Sequence, residues 1–218
     1  MLAFTEVTAR SLTFRDCGIA AFSDVLQLQH RLHEYRRLGH ISNTIIIVEH
    51  QPVITLGAHR STNRLLVTGD YLANRNIDLV NVRRGGGATA HNPGQVVFYP
   101  ILRLSDFGMA ISEYVGQLEA VGIELLGRLG LSVRRREGLR GLWVGREKIA
   151  SIGVRLSRGV TYHGMGINIR NDLGIFEHII PCGLDGVQMT SLLNETHNEI
   201  PTTDVKRVLA SILRDHFS

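Results

Sequence analysis

Three glycines followed shortly by Asn-Pro-Gly constrain this chain more than any other feature. The segment Arg84-Gly85-Gly86-Gly87-Ala88-Thr89-Ala90-His91-Asn92-Pro93-Gly94-Gln95 comes directly after a strand-like run, Leu79-Val80-Asn81-Val82. Its Gly85-x-Gly87-x-x-Ala90 spacing formally matches a dinucleotide fingerprint. That fingerprint needs a helix to open next, so that its N-terminus meets the pyrophosphate. Asn92-Pro93-Gly94 forbids a helix there. No Walker-type lysine lies inside the loop, so a P-loop is excluded as well. Two uses of the glycines stay open: a backbone surface stripped of side chains for close approach, or a tight bend in a curved sheet.

Periodicity supplies the frame around this loop. Between Asp16 and Gly39, the spacing of Ala21, Val25, Leu28, Leu32 and Tyr35 predicts an amphipathic helix. Cys17 then falls near its start. Thr44–Val48, Val53–Leu56, Leu79–Val82 and Val96–Tyr99 read as strands, the last closed by Pro100. A second helix is predicted over Met109–Leu129, followed by extended pieces at Leu131–Val133, Leu142–Val144, Lys148–Leu156, Val160–Tyr162 and Gly166–Ile169. Gly145-Arg146-Glu147 reads as a hairpin turn. A closing helix spans Thr203–Phe217, with Thr202 or Thr203 as its cap and Pro201 just outside. The expected fold class is α/β (α+β), a curved mixed sheet packed with helices, in a single domain over residues 1–218.

With 218 residues, 44% hydrophobic and 20% charged, the chain suits one well-buried core. No run approaches the roughly 18 to 20 apolar residues of a membrane span, and Met1–Thr13 lacks the pattern of a secretory leader. Two cysteines, Cys17 and Cys182, offer neither a disulfide framework nor zinc-type pairing. A cytoplasmic location is expected, with no membrane partner. The net charge of +4 is dispersed. Its densest runs, Arg134-Arg135-Arg136 and Arg83-Arg84, lack interleaved aromatics, which argues against nucleic acid. His30 and His33 lie on the first helix without further ligands at matching spacing, so no metal is expected. His91 and His163 sit beside glycine-containing turns, where a histidine is more often structural than catalytic. Cys182, in Ile179-Ile180-Pro181-Cys182-Gly183-Leu184, has a plausible nucleophile setting, although a lone cysteine is more often a small buried hydrophobe. Lys148 heads an apolar strand, and a solvated hairpin end is the ordinary place for it.

Several blocks in register resemble the octanoyltransferases of lipoate biosynthesis, the lipoyl(octanoyl) transferase or lipoate-protein ligase B family. They are Glu49-His50-x-Pro52-Val53-x-Thr55-Leu56-Gly57, Arg84-Gly85-Gly86-x-x-Thr89-x-His91-x-Pro93-Gly94-Gln95 running to Tyr99-Pro100-Ile101-Leu102, and Gly141-x-Trp143-Val144 with Lys148–Val154. Thr161-x-His163-Gly164 with Asn168, Pro181-Cys182-Gly183-Leu184 and Thr190-Ser191-Leu192 complete the set. The order holds from about residue 15 to 195.

The resemblance implies the fold of biotin and lipoate protein ligases, and a reaction. Octanoyl passes from the phosphopantetheine thioester of acyl carrier protein to Cys182, then to a lysine of a lipoyl domain. The acceptors would be 2-oxoacid dehydrogenases and the glycine cleavage H protein. No cofactor or ATP is implied, the acyl group arriving on the phosphopantetheine, and the chain would act as a monomer. Lys148 becomes the basic partner of Cys182. A free thiol with pKa near 8.5 is only about 3% thiolate at neutral pH, and an ammonium at 4 Å favours thiolate by about 4 kcal/mol at an effective dielectric of 20, less desolvation. By the same match, the acyl pocket is lined by Arg84, Gly85, Gly86, Gly87, Ala88, Thr89, Ala90 and His91, by Ser151, Ile152 and Gly153, and by His163, Gly164, Met165 and Gly166. Their backbone N–H groups are suited to stabilising an oxyanion. Two positions depart from the family: Ala90 replaces a usual tyrosine, with a wider pocket or a lost hydrogen bond expected, and Asn92 replaces a usual glycine. Alternatives are an ATP-dependent lipoate or biotin ligase, an octanoyl amidotransferase between lipoyl domains, and a non-catalytic acyl-binding module.

Overall fold

The run Thr44–Val48, β-branched at every position, is buried throughout because it is covered on both faces. In the computed structural model, which describes residues 11–218, the first half runs β1 (Leu12–Ala20), α1 (Phe22–Leu38), β2 (Asn43–His50), β3 (Val53–Leu56), β4 (Arg64–Leu65), α2 (Gly69–Ala73), β5 (Asp78–Asn81), β6 (Thr89–His91) and β7 (Gln95–Ile101). Then come α3 (Ile111–Arg128), β8 (Arg134–Arg136), β9 (Leu139–Val144), β10 (Glu147–Ser157), β11 (Val160–Asn168), β12 (Ile179–Ile180), α4 (Leu192–Thr196) and α5 (Thr202–Phe217). Seven strands form a mixed sheet in the order β1-β2-β7-β11-β10-β9-β8; β5-β3-β6 make a three-stranded sheet and β12-β4 a two-stranded ribbon. β1 and β2 are parallel, with α1 as the crossover, whereas β2, β7, β11, β10, β9 and β8 pair antiparallel in turn.

Alternate residues of β2 and β7 serve opposite faces of the sheet. Ile45, Ile47, Val96 and Phe98 pack with Tyr114, Leu118 and Leu125 of α3 and with Leu209 and Phe217 of α5. Ile46, Val48, Val97 and Tyr99 face α1 and meet Val25. Each such large apolar side chain contributes about 1.5–3 kcal/mol when fully buried. A third cluster, with Ile54, Leu72, Ala88, Ala90, Ile175 and Phe176, lies against the small sheet. The space between α1 and the β7–β11 face is where the site forms.

The first helix starts at Phe22, and the preceding residues are strand β1, so Cys17 is on a strand and not at a helix start. Among the described residues β1 pairs with β2 alone, and it mixes partly buried with exposed residues, so its apolar signal is weak. Pro100 does not close its strand; it pairs with Ile45 inside β7. Its missing N–H is tolerated while its carbonyl accepts from Thr161 Oγ1 at 2.7 Å. The extended piece at Leu131–Val133 falls at Arg134–Arg136 instead, and the two pieces at Val160–Tyr162 and Gly166–Ile169 are one strand, β11. For α5 the N-cap is Pro201, without a side-chain cap bond. Residues 1–10, and with them most of the leader expectation, lie outside the described residues. No helix among the described residues is long and apolar enough to cross a membrane.

Candidate active site

Pro181-Cys182-Gly183 makes one 3₁₀ turn after β12. Cys182 takes φ 57° there, a left-handed conformation uncommon outside glycine. The turn brings the thiol over the glycine loop, and the Cys182 N–H donates to the Ala88 carbonyl at 2.9 Å. Lys148 arrives from the head of β10. Its N–H donates to Gln188 O at 2.9 Å and its carbonyl accepts from Thr190 N–H at 3.0 Å. The residue is only 2% exposed, so the ordinary solvated position for a lysine at a hairpin end is not the one it occupies. Its Nζ lies 3.4 Å from Cys182 Sγ and 5.2 Å from the centre of the Trp143 ring.

Among the described residues, Cys182 is the one hydrogen-bond partner of the Lys148 ammonium, and no carboxylate pairs with it. A buried ammonium without an anion is costly. Transfer of one proton across this contact interconverts thiol and amine with thiolate and ammonium, the second being the nucleophilic form.

Cys182, Gly86, Ile152 and Gly153 line two adjoining cavities. The inner one is narrow, with about 30 Å³ open to the centre of a water-sized sphere against about 380 Å³ in the outer one. Arg84, Gly86, Thr89, His91, Ser151, Ile152, Gly153, His163, Gly164, Met165 and Gly166 all line it. At Gly164 a Cβ would stand 2.1 Å from the Phe98 carbonyl oxygen, so only glycine lets β7 and the cavity wall approach this closely. The outer cleft is lined by Lys148, His59, Arg140 and apolar Val115, Leu139, Val154 and Leu184.

Four of the expected lining residues lie elsewhere. Gly85 faces the outer cleft alone. Gly87 packs on Thr62, whose carbonyl oxygen would be 2.3 Å from a Cβ. Ala88 and Ala90 belong to the core cluster with Ile54 and Leu72. On β6 the side chains alternate, so Thr89 and His91 face the cavity and Ala90 faces away. The expected widening at Ala90 is therefore corrected: its side chain is not in the cavity. Asn92 is not in it either; its amide donates to Asp172 O at 2.8 Å and its oxygen accepts from Asn171 at 3.2 Å. Phe22, Val97 and Tyr99 were not anticipated and line the inner cavity. Val97 and Tyr99 were legible in principle, as alternate residues of one strand.

Arg84 is buried at 7% exposure. Its guanidinium donates to the carbonyls of Gly85, Gly87 and Thr55 and to Thr55 Oγ1 at 2.6–3.1 Å, while Nε lacks a partner among the described residues. All those acceptors are neutral. Burial pulls its pKa down to about 10, leaving it charged at neutral pH. The cavity thus presents positive charge from Arg84, while Lys148 stands at its mouth. Burial pushes His91 and His163 down to about 3 and nearby His50 down to about 4, so all three imidazoles are neutral.

A mixed sheet flanked by helices, with a buried lysine beside a glycine-lined cavity, defines the lipoate and biotin protein ligase class of fold. Solved structures agree. A bipartite lipoate protein ligase from Thermoplasma acidophilum superposes with TM-score 0.70 at 14% identity, over 94% of this chain and 84% of that one. The biotin protein ligase of Aquifex aeolicus gives 0.52 at 13%, over 94% and 68%. At such identities the likeness concerns the fold alone. Residues 22–214 match the lipoyl protein ligase A/B catalytic domain, and the chain belongs to that family. Among its relatives are octanoyltransferases of Desulfotalea psychrophila, 42% identical over 93% of this chain and 92% of theirs, and of Syntrophobacter fumaroxidans, 40% identical over 92% and 88%. The chain is an acyltransferase.

Proposed function

We propose that this enzyme carries an octanoyl group on Cys182, taking it from the phosphopantetheine thioester of acyl carrier protein and passing it to a lysine of a lipoyl domain without ATP. The contact of 3.4 Å between Lys148 Nζ and Cys182 Sγ, at the junction of an inner and an outer cavity, carries this reading. Relatives named octanoyltransferase support the acyl group.

In the first half-reaction the Cys182 thiolate attacks the donor carbonyl. A new C–S bond forms, the donor C–S bond breaks, and the leaving pantetheine thiolate takes a proton from the Lys148 ammonium. In the second, a neutral acceptor amine attacks the acyl-cysteine. Its proton goes to the Lys148 amine, the amide forms and the Cys182 thiolate is released. The pair returns to its starting state. Arg84 adds positive potential where negative charge develops. The acyl chain occupies the inner cavity, and the carriers use the outer cleft, whose Arg140 and apolar walls suit a phosphate-bearing flexible arm. Lipoyl domains of 2-oxoacid dehydrogenases and the glycine cleavage H protein are the proposed acceptors.

Purified protein, octanoyl-acyl carrier protein and a lipoyl domain should give an octanoylated lipoyl domain in the absence of ATP. Intact-mass measurement should show one octanoyl group on Cys182, lost in Cys182→Ala. Modification only with free octanoate and ATP, or an adduct on Cys17, overturns the proposal. Transfer from an octanoylated lipoyl domain but not from the carrier protein would reassign the donor.

A further inference from the structure

The inner cavity is unexpectedly rich in hydrogen-bonding groups for an acyl site. Away from Cys182 it is bounded by Phe22, His91, Tyr99, His163 and Met165. Phe22 stacks on His91 with ring centres 6.1 Å apart, and His50 lies 5.6 Å from His91.

A relay of buried amides fixes which atoms these rings offer. Asn168 Nδ2 donates to Thr190 O at 2.9 Å, which leaves Asn168 Oδ1 to accept from Gln95 Nε2 at 2.8 Å. Gln95 Nε2 also lies 3.3 Å from Ala90 O, so the Gln95 amide has one consistent orientation. Gln95 Oε1 therefore accepts, and His91 Nδ1, at 2.5 Å, carries the proton. Because the ring is neutral, His91 Nε2 is a bare lone pair with no partner among the described residues.

Tyr99 comes out the same way. His50 Nδ1 donates to Ala20 O at 3.2 Å, so His50 Nε2 accepts the Tyr99 hydroxyl proton at 2.8 Å. The Tyr99 oxygen retains only lone pairs. Two residues lining the cavity thus present acceptors, and neither has a donor to satisfy it among the described residues. A plain hydrocarbon chain leaves both unused.

We propose that the inner cavity accepts medium-chain acyl groups bearing a hydroxyl toward their distal end, donated to His91 Nε2. This rests on the inner cavity being the acyl site, and the hydroxyl specificity deepens that reading. The amide relay also places a specificity element and Lys148 on one network, since the Thr190 N–H holds the Lys148 carbonyl at 3.0 Å.

The test is equilibrium binding of free acids by calorimetry, which needs no acyl transfer. Octanoic acid is compared with octanoic acids hydroxylated at carbon 6, 7 or 8. A cavity offering no partner should bind every hydroxy acid about a hundredfold more weakly than octanoate. The expected result is that at least one hydroxy acid binds within about threefold of octanoate, and that His91→Phe worsens the ratio of the two at least tenfold. Uniform hundredfold rejection by the wild-type protein overturns the proposal, whether or not the variant folds. So does an unchanged ratio in a folded His91→Phe. Parallel loading of Cys182 from the corresponding N-acetylcysteamine thioesters separates the two readings. If the hydroxy acids bind as expected and no thioester loads Cys182, the transfer proposal fails and the cavity's preference stands.

Discussion

Acidification from pH 7.5 to 5.5 should remove stability from this fold through three histidines. His50, His91 and His163 are held by burial at about 4, 3 and 3, against about 6.5 in an unfolded chain. Below pH 6.5 and above these folded values, only the unfolded state takes up the protons. The stabilisation is therefore complete above pH 6.5 and is lost progressively as the pH falls below it. At pH 5.5, one unit below the unfolded value, each imidazole costs about 1.4 kcal/mol. Three together cost roughly 4 kcal/mol, a large share of the roughly 5–15 kcal/mol that holds a domain together. Carboxylates contribute little in this window, which lies above their usual range. Urea unfolding at pH 7.5, 6.5 and 5.5 measures the loss, followed through the single tryptophan, Trp143, which is fully buried. His163→Asn keeps a residue type that tolerates the φ of 56° found there, and should remove about a third of the dependence. A total change under about 1 kcal/mol, or a full slope retained in His163→Asn, would refute the assignment of neutral buried imidazoles.

Three further outcomes follow from single positions. Lys148→Ala should slow transfer roughly 10²–10⁴-fold at neutral pH, read in single-turnover acylation and deacylation of Cys182; unchanged rates would remove its proposed role. Ala90→Tyr should overpack the cluster at Ile54 and Leu72, costing about 1–3 kcal/mol in urea. The ratio of octanoyl to decanoyl loading should stay constant, because the side chain points away from the cavity. Gly141→Ala forces a Cβ to within 2.3 Å of the Ala150 carbonyl oxygen and 2.8 Å of Lys148 Cε, at φ 110°. It should lower both the unfolding midpoint and the acylation rate, and a variant unaltered in both would contradict the packing around Lys148.

Legibility in the sequence followed burial. Strands covered on both faces, such as β2 and β7, are continuous apolar runs and announce themselves, as do α3 and α5. β1 does not, because an edge strand with Arg15 and Asp16 among its residues lacks a continuous apolar signal. β11 reads as two pieces because His163-Gly164-Met165 between them looks like a glycine-containing turn, whereas the strand runs on through His163 at positive φ. Within the site, the pairing of Lys148 with Cys182 was beyond residue logic. Both lie at ends of elements, and only the ladder of residues 188–190 against Lys148 and the carbonyl of Ala88 bring them together. Resemblance joined them before geometry did. The same resemblance assigned the whole stretch Arg84–His91 to the pocket, although strand alternation already separated Thr89 and His91 from Ala90.

The left-handed turn at Cys182 sets durability against reactivity. Glycine occupies such a conformation freely, while a residue with a Cβ gives up of the order of 1 kcal/mol to hold it. The sturdiest residue at position 182 is thus one with no sulfur at all, and variants selected for heat resistance alone should drift toward glycine and fall silent as enzymes. A thermostable version of this protein has to gain its stability elsewhere, in the α3–α5 face of the core, and leave the cramped cysteine where it is.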